Sequence, residues 1–383
     1  MLESHRIYRY IDLTSVSLET KKITETTEII ANNAPSRAQK LVEKNDVIFA
    51  TTRPAQQRYC LIENEYSGEV ASTGYCILRA EKDKVLPKWI LYCIASNAFK
   101  IYVEENQSGS AYPAISDTKV KDFIIPIPCP DNPDRSLAIQ AEIVRILDTF
   151  TALTAELTTE LGDRKKQYNY SRDRLLTFGD EVPVVQLSNC CVSIADGDHQ
   201  PPPKTDTGIP FITISNVSNS RQIDFINTRF VSEAYYGELD DKRKARKNDI
   251  LYTVVGSFGI PVFIDDNRKF AFQRHIAILR PNGNVIVPKY LYHVLRSSDF
   301  LKQAYAVAVG AAQKTITLTA LNRMKVPLPP LEEQARIVAI LDKFDTLTTS
   351  ISEGLPHEIA LRQKQYEYYR DLLLTFPPPL TPP

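Results

Sequence analysis

Glycine is scarce in this chain, thirteen in 383 residues, so loops that cradle phosphates with backbone N–H groups have little material to form from. Neither G-x-G-x-x-G nor G-x-x-x-x-G-K-[ST] occurs, and there is no Asn-Pro-Pro-aromatic motif, which argues against a stand-alone DNA methyltransferase or nuclease. No run approaches eighteen apolar residues, and the opening MLESHRIYRY lacks the apolar core of a signal peptide. A soluble chain of the cytoplasm is expected. The six cysteines (Cys60, Cys76, Cys93, Cys129, Cys190, Cys191) show no C-x-x-C spacing, and neighbours Cys190 and Cys191 cannot readily bridge each other; reduced, ordinary thiols are expected. A surplus of one charge is also missing, with 46 Lys and Arg against 46 Asp and Glu. By region the balance is uneven: residues 199–330 carry eighteen basic and ten acidic residues, residues 1–128 sixteen of each. The electrostatic footprint of a nucleic-acid binder is therefore partial.

What is present is repetition. Gln140 to Thr154 (QAEIVRILDTFTALT) matches Gln334 to Thr348 (QARIVAILDKFDTLT) at ten of fifteen positions, and Arg164 to Phe178 matches Arg362 to Phe376 at eleven of fifteen. Outside these segments, KND at Lys44 pairs with KND at Lys247, ILR at Ile77 with ILR at Ile278, and IPIP at Ile125 with VPLP at Val326. The chain therefore holds two copies of one variable domain, each followed by a helical segment. The front of the first copy is shorter: 68 residues separate Phe178 from Lys247, but only 43 precede Lys44. Either the first domain begins with a shorter sheet or it lacks an opening strand.

Between the helical segments, short runs rich in Val, Ile, Phe, Tyr and Thr read as strands. Each copy then shows one helical pattern opened by proline, PKWILYCIASNAFKIYV and PKYLYHVLRSSDFLKQAY. The fold class is α+β, with mixed sheets and peripheral helices. In the repeated segments Ile143, Ile146, Leu147, Phe150, Leu153, Leu157 and Leu161 recur at three- and four-residue steps, as do Ile337, Ile340, Leu341, Phe344, Leu347 and Ile351. Gly354 and Pro356 should interrupt the second helix. These seams suit an antiparallel pair, although packing within each domain would use the same faces.

The two helical segments resemble the central and C-terminal spacer regions of the specificity subunit of type I restriction-modification enzymes, in the subfamily with tetrapeptide repeats. Here the array is Thr154-Ala155-Glu156-Leu157 and Thr158-Thr159-Glu160-Leu161. APSRAQKLVEKNDVIFATTRP, IADGDHQPPP and IPFITISNV are similar to target-recognition-domain sequences. The resemblance implies two tandem target-recognition domains, residues 1–128 and 179–330, joined by two long helices, 129–178 and 331–376, that form an antiparallel coiled-coil spacer. A Pro-rich tail, 377–383, follows. It also implies a non-catalytic subunit that binds a bipartite site in double-stranded DNA, one domain per half-site. Two modification subunits and the restriction subunits would join it, and they, not this chain, would use S-adenosyl-methionine, ATP and Mg. A coiled-coil dimerisation scaffold, or an inactive specificity subunit, are the alternatives. The helices would act as a ruler between half-sites.

Candidate DNA contacts follow from residue chemistry. Lys242, Arg243, Lys244, Arg246 and Lys247 suit phosphate neutralisation, or form a solvated loop. In the first copy the corresponding stretch holds Arg37, and after the next strand come Arg53, Gln56, Gln57 and Arg58, whose side chains can pair with guanine and adenine edges. In the second copy that loop is Gly256, Ser257, Phe258 and Gly259. Lys314 is read as the counterpart of Tyr112, each facing DNA or shaping a turn. Tyr168, Tyr170 and Arg172, repeated as Tyr366, Tyr368 and Arg370, are candidate docking sites for two identical partners, or pack on the neighbouring domain. Asp196, Asp198 and His199 offer ligand atoms, but no second cluster completes a metal site; no metal and no bound cofactor is expected.

Overall fold

The computed structural model describes residues 3–197, 202–218, 221–311, 313–350 and 352–376. They fall into two compact units, Met1–Glu156 with Ile359–Pro383, and Leu157–Glu358. The first begins with strands β1 (Tyr8–Ile11), β2 (Thr27–Ile29), β3 (Ala38–Leu41), β4 (Val47–Ala50), β5 (Tyr59–Leu61), β6 (Val70–Ser72) and β7 (Tyr75–Leu78). Helices α1 (Pro87–Ala95), α2 (Asn97–Asn106), α3 (Asp117–Lys121) and the long α4 (Pro133–Leu175) follow. One sheet has the order β2-β1-β6-β3 with β1 and β6 parallel; the other, β5-β4-β7, is antiparallel.

In the second unit the chain runs through β8 (Val184–Gln186), α5 (Leu187–Cys190), β9 (Cys191–Asp196), β10 (Ile209–Ile212), β11 (Arg229–Val231), α6 (Glu233–Glu238) and β12 (Ile250–Thr253). It continues with β13 (Pro261–Phe263), β14 (Ala271–Phe272), β15 (Ile276–Pro281), α7 (Pro288–Leu295), α8 (Ser298–Val307), α9 (Leu318–Arg323), β16 (Lys325–Pro327) and α10 (Leu331–Thr349). Sheets β11-β10-β14 and β13-β12-β15 repeat the first unit's pattern, and the second is extended by β9; β8 pairs with β16. The last helix, α11 (Leu355–Leu373), lies almost wholly in the first unit.

The short repeated motifs have structural causes. VIFA in β4 and ILYT in β12 are buried at every position, because each strand is central and covered on both faces. Before each, Asn45 (φ 73) and Asn248 (φ 74) take the left-handed conformation that asparagine tolerates. The next residue, Asp46 or Asp249, is buried and accepts the N–H of Glu43 or Arg246, at 2.8 and 2.9 Å. It then pairs with the arginine of ILR: Arg79 with Asp46 at 2.7 Å, Arg280 with Asp249 at 3.0 Å.

Each helical pattern that reads as one helix in sequence is two. Ser96 and Ser297 leave the helical conformation, and each accepts the N–H three residues on, from Phe99 and Phe300, at 3.2 Å. A serine oxygen satisfies an orphan donor and so starts a new helix. The break expected at Gly354 lies between α10 and α11. Gly354 has φ +86, and a Cβ there would lie 2.5 Å from the Thr346 carbonyl oxygen. Ile351 lies outside the described residues.

The long helices enter both cores. Ile143 and Leu147 of α4 share the first unit's buried cluster with Trp89, Phe99 and, from just beyond α11, Leu374; Phe150 stacks on Tyr369 at 5.6 Å. In the second unit Ile337 and Leu341 of α10 share a cluster with Tyr290, Leu291 and Tyr168 of α4. Each unit thus combines the start of one helical segment with the end of the other. α4 passes from one unit to the other between Glu156 and Leu157, inside the tetrapeptide array. The first glutamine of each repeat, Gln140 or Gln334, is fully buried. Its Oε1 accepts from Leu86 N–H at 2.9 Å or Val287 N–H at 2.8 Å, capping α1 or α7.

Candidate nucleic-acid interface

In the first unit a ladder of backbone hydrogen bonds gathers the candidate readers at one end of β4. Thr73 N–H donates to the Arg37 carbonyl (2.8 Å), Thr51 N–H to Gly74 (2.8 Å), Ile115 N–H to Thr51 (2.9 Å) and Arg53 N–H to Pro113 (2.7 Å). Arg37, Arg53, Gln56 and Tyr112 are all exposed there. The Arg53 guanidinium lies over the Tyr112 ring at 5.4 Å, a cation–π contact that presents both as one surface. Gln57 and Arg58 serve the loop's shape instead. The Arg58 guanidinium donates to the Val16 carbonyl, Gln57 Nε2 to the Pro54 carbonyl at 3.3 Å, and Lys21 Nζ to the Gln57 carbonyl at 2.6 Å. Burial, with the Arg58 charge beside it, pushes the Lys21 ammonium down to about 8. Nothing in the sequence pattern singled out Lys21, because its partners arrive from 36 residues away.

The second unit repeats the ladder. Val254 N–H donates to His275 (2.9 Å), Ile316 N–H to Val254 (2.8 Å) and Gly256 N–H to Lys314 (3.0 Å). Gly256 therefore stands where Arg53 stands, and its φ of +71 against 50 for Arg53 explains the glycine. Lys314 corresponds to Pro113, and Gln313 to Tyr112; the expected match of Lys314 with Tyr112 is off by one residue. Lys314 instead reaches over the Tyr305 ring at 5.8 Å. Phe258 packs edge-on against Tyr305 at 5.0 Å and is partly buried against the core, while Ser257 stays exposed. Beside this loop is a cleft of about 520 Å³, lined by Ser215, Ser218, Gly256, Ser257 and Gln313 among others.

The sequence reading missed Ser215, Gln313 and the turn Gln273, Arg274, His275. Arg274 is exposed and occupies the place of Thr73. It sits within FAFQRHIAILR, which reads as uninterrupted strand but is a turn between β14 and β15. Burial, then the neighbouring Arg274 charge, lowers the His275 pKa from 6.5.

The basic cluster lies elsewhere. Lys242 to Lys247 precede β12, whereas Gly256 and Ser257 follow it, so the two groups sit at opposite ends of that strand. Most of the cluster is already occupied. Lys242 pairs with Asp240 (3.2 Å), Arg243 with Asp196 (3.7 Å) and Arg246 with Asp241; Lys244 Nζ donates to the Gly237 carbonyl (2.9 Å). Lys247 is exposed. The Asp240–Asp241 carboxylates, adjacent in sequence, account for the difference from a free phosphate-binding patch.

Four of the six candidate docking residues are internal. Tyr168 is buried and its hydroxyl meets His293 Nδ1 at 3.0 Å; Arg172, also buried, lies over the Tyr168 ring. Tyr366 packs on Tyr92, with Arg370 over its ring. They hold each helix end against the rest of its own unit, aided by Asp173 accepting from Ser298 N–H and Asp371 from Asn97 N–H, at 3.1 and 3.2 Å. Tyr170 and Tyr368 face outward, 67% and 64% exposed.

All six cysteines are unbridged. Burial pushes the thiols of Cys60 and Cys93 up to about 12 and those of Cys76 and Cys190 to about 11, away from reactivity at neutral pH. Asp196 pairs with Arg243, while Asp198 and His199 lie outside the described residues. Among the described residues no cluster could hold a metal, and no helix is long and apolar enough to cross a membrane.

Two repeated frames with different side chains at matching positions agree with the family comparison. The family model for the type I restriction modification DNA specificity domain matches residues 10–164 and, separately, 196–361. The chain belongs to this family. Among its relatives, the EcoR124I/EcoR124II specificity subunit of Escherichia coli is 44% identical over 274 residues, 67% of this chain and 64% of that one. A putative type I restriction enzyme specificity subunit of Haemophilus influenzae is 35% identical over 273 residues, 68% and 66% of the two chains. The chain thus spans slightly less than two thirds of these relatives' length. A chain from a structural study of type I R-M complex assembly and conformational transition superposes with a TM-score of 0.64 at 24% identity, over 97% of this chain and 92% of that one. The S subunit from M. genitalium gives 0.51 at 14% identity, over 98% and 91%. Both share the fold of this specificity-domain chain.

Proposed function

We propose that this chain is the non-catalytic DNA-specificity subunit of a type I restriction-modification complex. Each unit reads one half of a bipartite duplex target, and the outward faces of α4 and α11 receive two modification subunits. The reading rests most on the duplicated ladder. One hydrogen-bonded frame presents Arg37, Arg53, Gln56 and Tyr112 in the first unit and Ser257, Arg274 and Gln313 in the second. A common frame with different hydrogen-bonding side chains is what two half-sites of different sequence require. Methyl transfer from S-adenosyl-methionine, and ATP- and Mg-dependent work, belong to the partner subunits. The helical segments set the spacing between half-sites.

The test is duplex binding by the chain with its modification partner, over a salt series. Binding that depends on sequence and weakens with salt is expected. Equal binding to all duplexes would overturn target reading. Methylation by the chain alone, given only the methyl donor, would overturn the non-catalytic role.

A further inference from the structure

The two reading loops meet one backbone requirement with different residues. Ala50 N–H bonds the Arg58 carbonyl at 2.8 Å and Thr253 N–H the Ile260 carbonyl at 3.1 Å, so each loop closes at the same place on its central strand. Both loops turn through two left-handed residues. In the second unit these are glycines, Gly256 (φ 71) and Gly259 (φ 88); in the first they are Arg53 (φ 50) and Gln57 (φ 51). Glycine takes that conformation without strain, whereas a side chain makes it costly. The first loop therefore gains side chains where the second has none, and it has to be held in place.

The holding contacts come from a turn distant in sequence. Val16 and Ile23 form an antiparallel bridge, and Ser17 N–H donates to the Lys22 carbonyl at 2.9 Å. Inside that turn Lys21 is half-buried; its Nζ donates to the Gln57 carbonyl at 2.6 Å and lies over the Tyr59 ring at 4.7 Å. Arg58 returns the tie by donating to the Val16 carbonyl. The left-handed Gln57 is thus gripped at its carbonyl, next to Gln56. A charged donor binds a carbonyl about twice as strongly as a neutral one, so the grip depends on the Lys21 proton.

We propose that Lys21 is a positioning residue for the first half-site: as a cation it fixes the Gln57 carbonyl, and with it the exposed Arg53 and Gln56 that meet the bases. The inference rests on the target-reading function proposed above. The surroundings of Lys21 work against its charge. Burial, then the like charge of Arg58, pushes the ammonium down to about 8. Burial keeps the Tyr59 phenol protonated well above that range, where it also feels Tyr366, Arg370 and Glu367. Raising the pH through 8 therefore loosens the first loop. The matching turn of the second unit, closed by the Val217–Ile223 bridge, carries Arg221 (φ 63) where the first carries Lys21 (φ 54). An arginine keeps its proton over this range, and Gly259 has no side-chain strain to restrain.

The test is competition binding by the full chain with its modification partner, using duplexes substituted in one or the other half of the mapped target. The half whose reading Arg53→Ala relaxes belongs to the first unit. From pH 7 to pH 9, discrimination in that half is expected to fall by about fivefold, while discrimination in the other half holds. Lys21→Met should show the reduced value at both pH values. Lys21→Arg, which keeps a charged donor, should show the full value at both. Equal binding of all duplexes by the unaltered complex at pH 7 would overturn target reading, and this role with it. With target reading intact, five outcomes would each overturn the role of Lys21 alone: relaxation of neither half by Arg53→Ala, first-half discrimination that ignores pH, an equal fall in both halves, full discrimination in Lys21→Met, or a fall retained in Lys21→Arg.

Discussion

Nε2 of His293 lies 2.8 Å from Oδ1 of Asp342, tying α7 to α10. The Asp342 carboxylate can only accept, so the neutral ring carries its proton on Nε2, and Nδ1 accepts from the Tyr168 hydroxyl 3.0 Å away. Tyr92 holds the equivalent place in the first unit and donates to Asp148 at 2.6 Å. Burial lowers the His293 pKa from 6.5, against the opposite pull of Asp342, and the Arg296 charge adds to the lowering. Below about pH 6.5 the unfolded chain takes up a proton that the folded ring resists, so stability is full above that pH and declines beneath it. Thermal unfolding between pH 7.5 and 5.5 should show this decline, and His293→Tyr should reduce it. His293→Ala should cost about 1–3 kcal/mol at neutral pH by stranding Asp342 and Tyr168.

The Asp249–Arg280 pair predicts a larger loss. Asp249 is 3% exposed and Arg280 15%, so Asp249→Ala leaves a guanidinium in a poorly hydrated site and releases the Arg246 N–H. Denaturant titration should show a loss of about 3–5 kcal/mol, and Asp46→Ala should cost less, because Arg79 is 52% exposed and keeps Glu43 as a partner at 2.6 Å. Lys242→Ala, at an exposed pair, should change stability by less than about 1 kcal/mol.

Outward and inward tyrosines should separate binding from folding. Tyr170→Ala and Tyr368→Ala are expected to weaken association with the modification subunit, measured by calorimetry, with an unchanged melting temperature. Tyr168→Ala and Tyr366→Ala should lower the melting temperature instead, by removing rings from the cores at a cost of about 3 kcal/mol or more.

Half-site reading should divide by unit. Arg53→Ala should relax sequence preference in one half of the target and Gln313→Ala in the other, each by about 1–3 kcal/mol of discrimination if it reads a base. Lys247→Ala should leave both preferences intact. Competition binding with half-site substitutions in the presence of the modification subunit measures all three.

The spacing role predicts a change of target without a change of reading. A third tetrapeptide after Leu161 adds about 6 Å of helix, and methylation-site mapping should return the same half-sites with an untouched spacer longer by about one to two base pairs. An unchanged spacer would show that the helix does not set the distance.

Duplication was legible in the sequence because identical residues recur where the same buried work recurs: Gln140 and Gln334 cap a helix, and Asp46 and Asp249 hold an arginine. Apolar periodicity likewise marked α4 and α10, and Gly354 marked the interruption. Tertiary structure alone decided which tyrosines are buried, since Tyr168 and Tyr170 differ only in which side of one helix they occupy. It also paired Lys242 with Asp240 and Arg246 with Asp241, and joined Val254 to His275 by a backbone hydrogen bond although they lie 21 positions apart. A one-dimensional pattern reports periodicity and local propensity. Which charge meets which, and which loop end shares a face with another, depends on strand pairings between distant residues, and those exist only once the chain has folded.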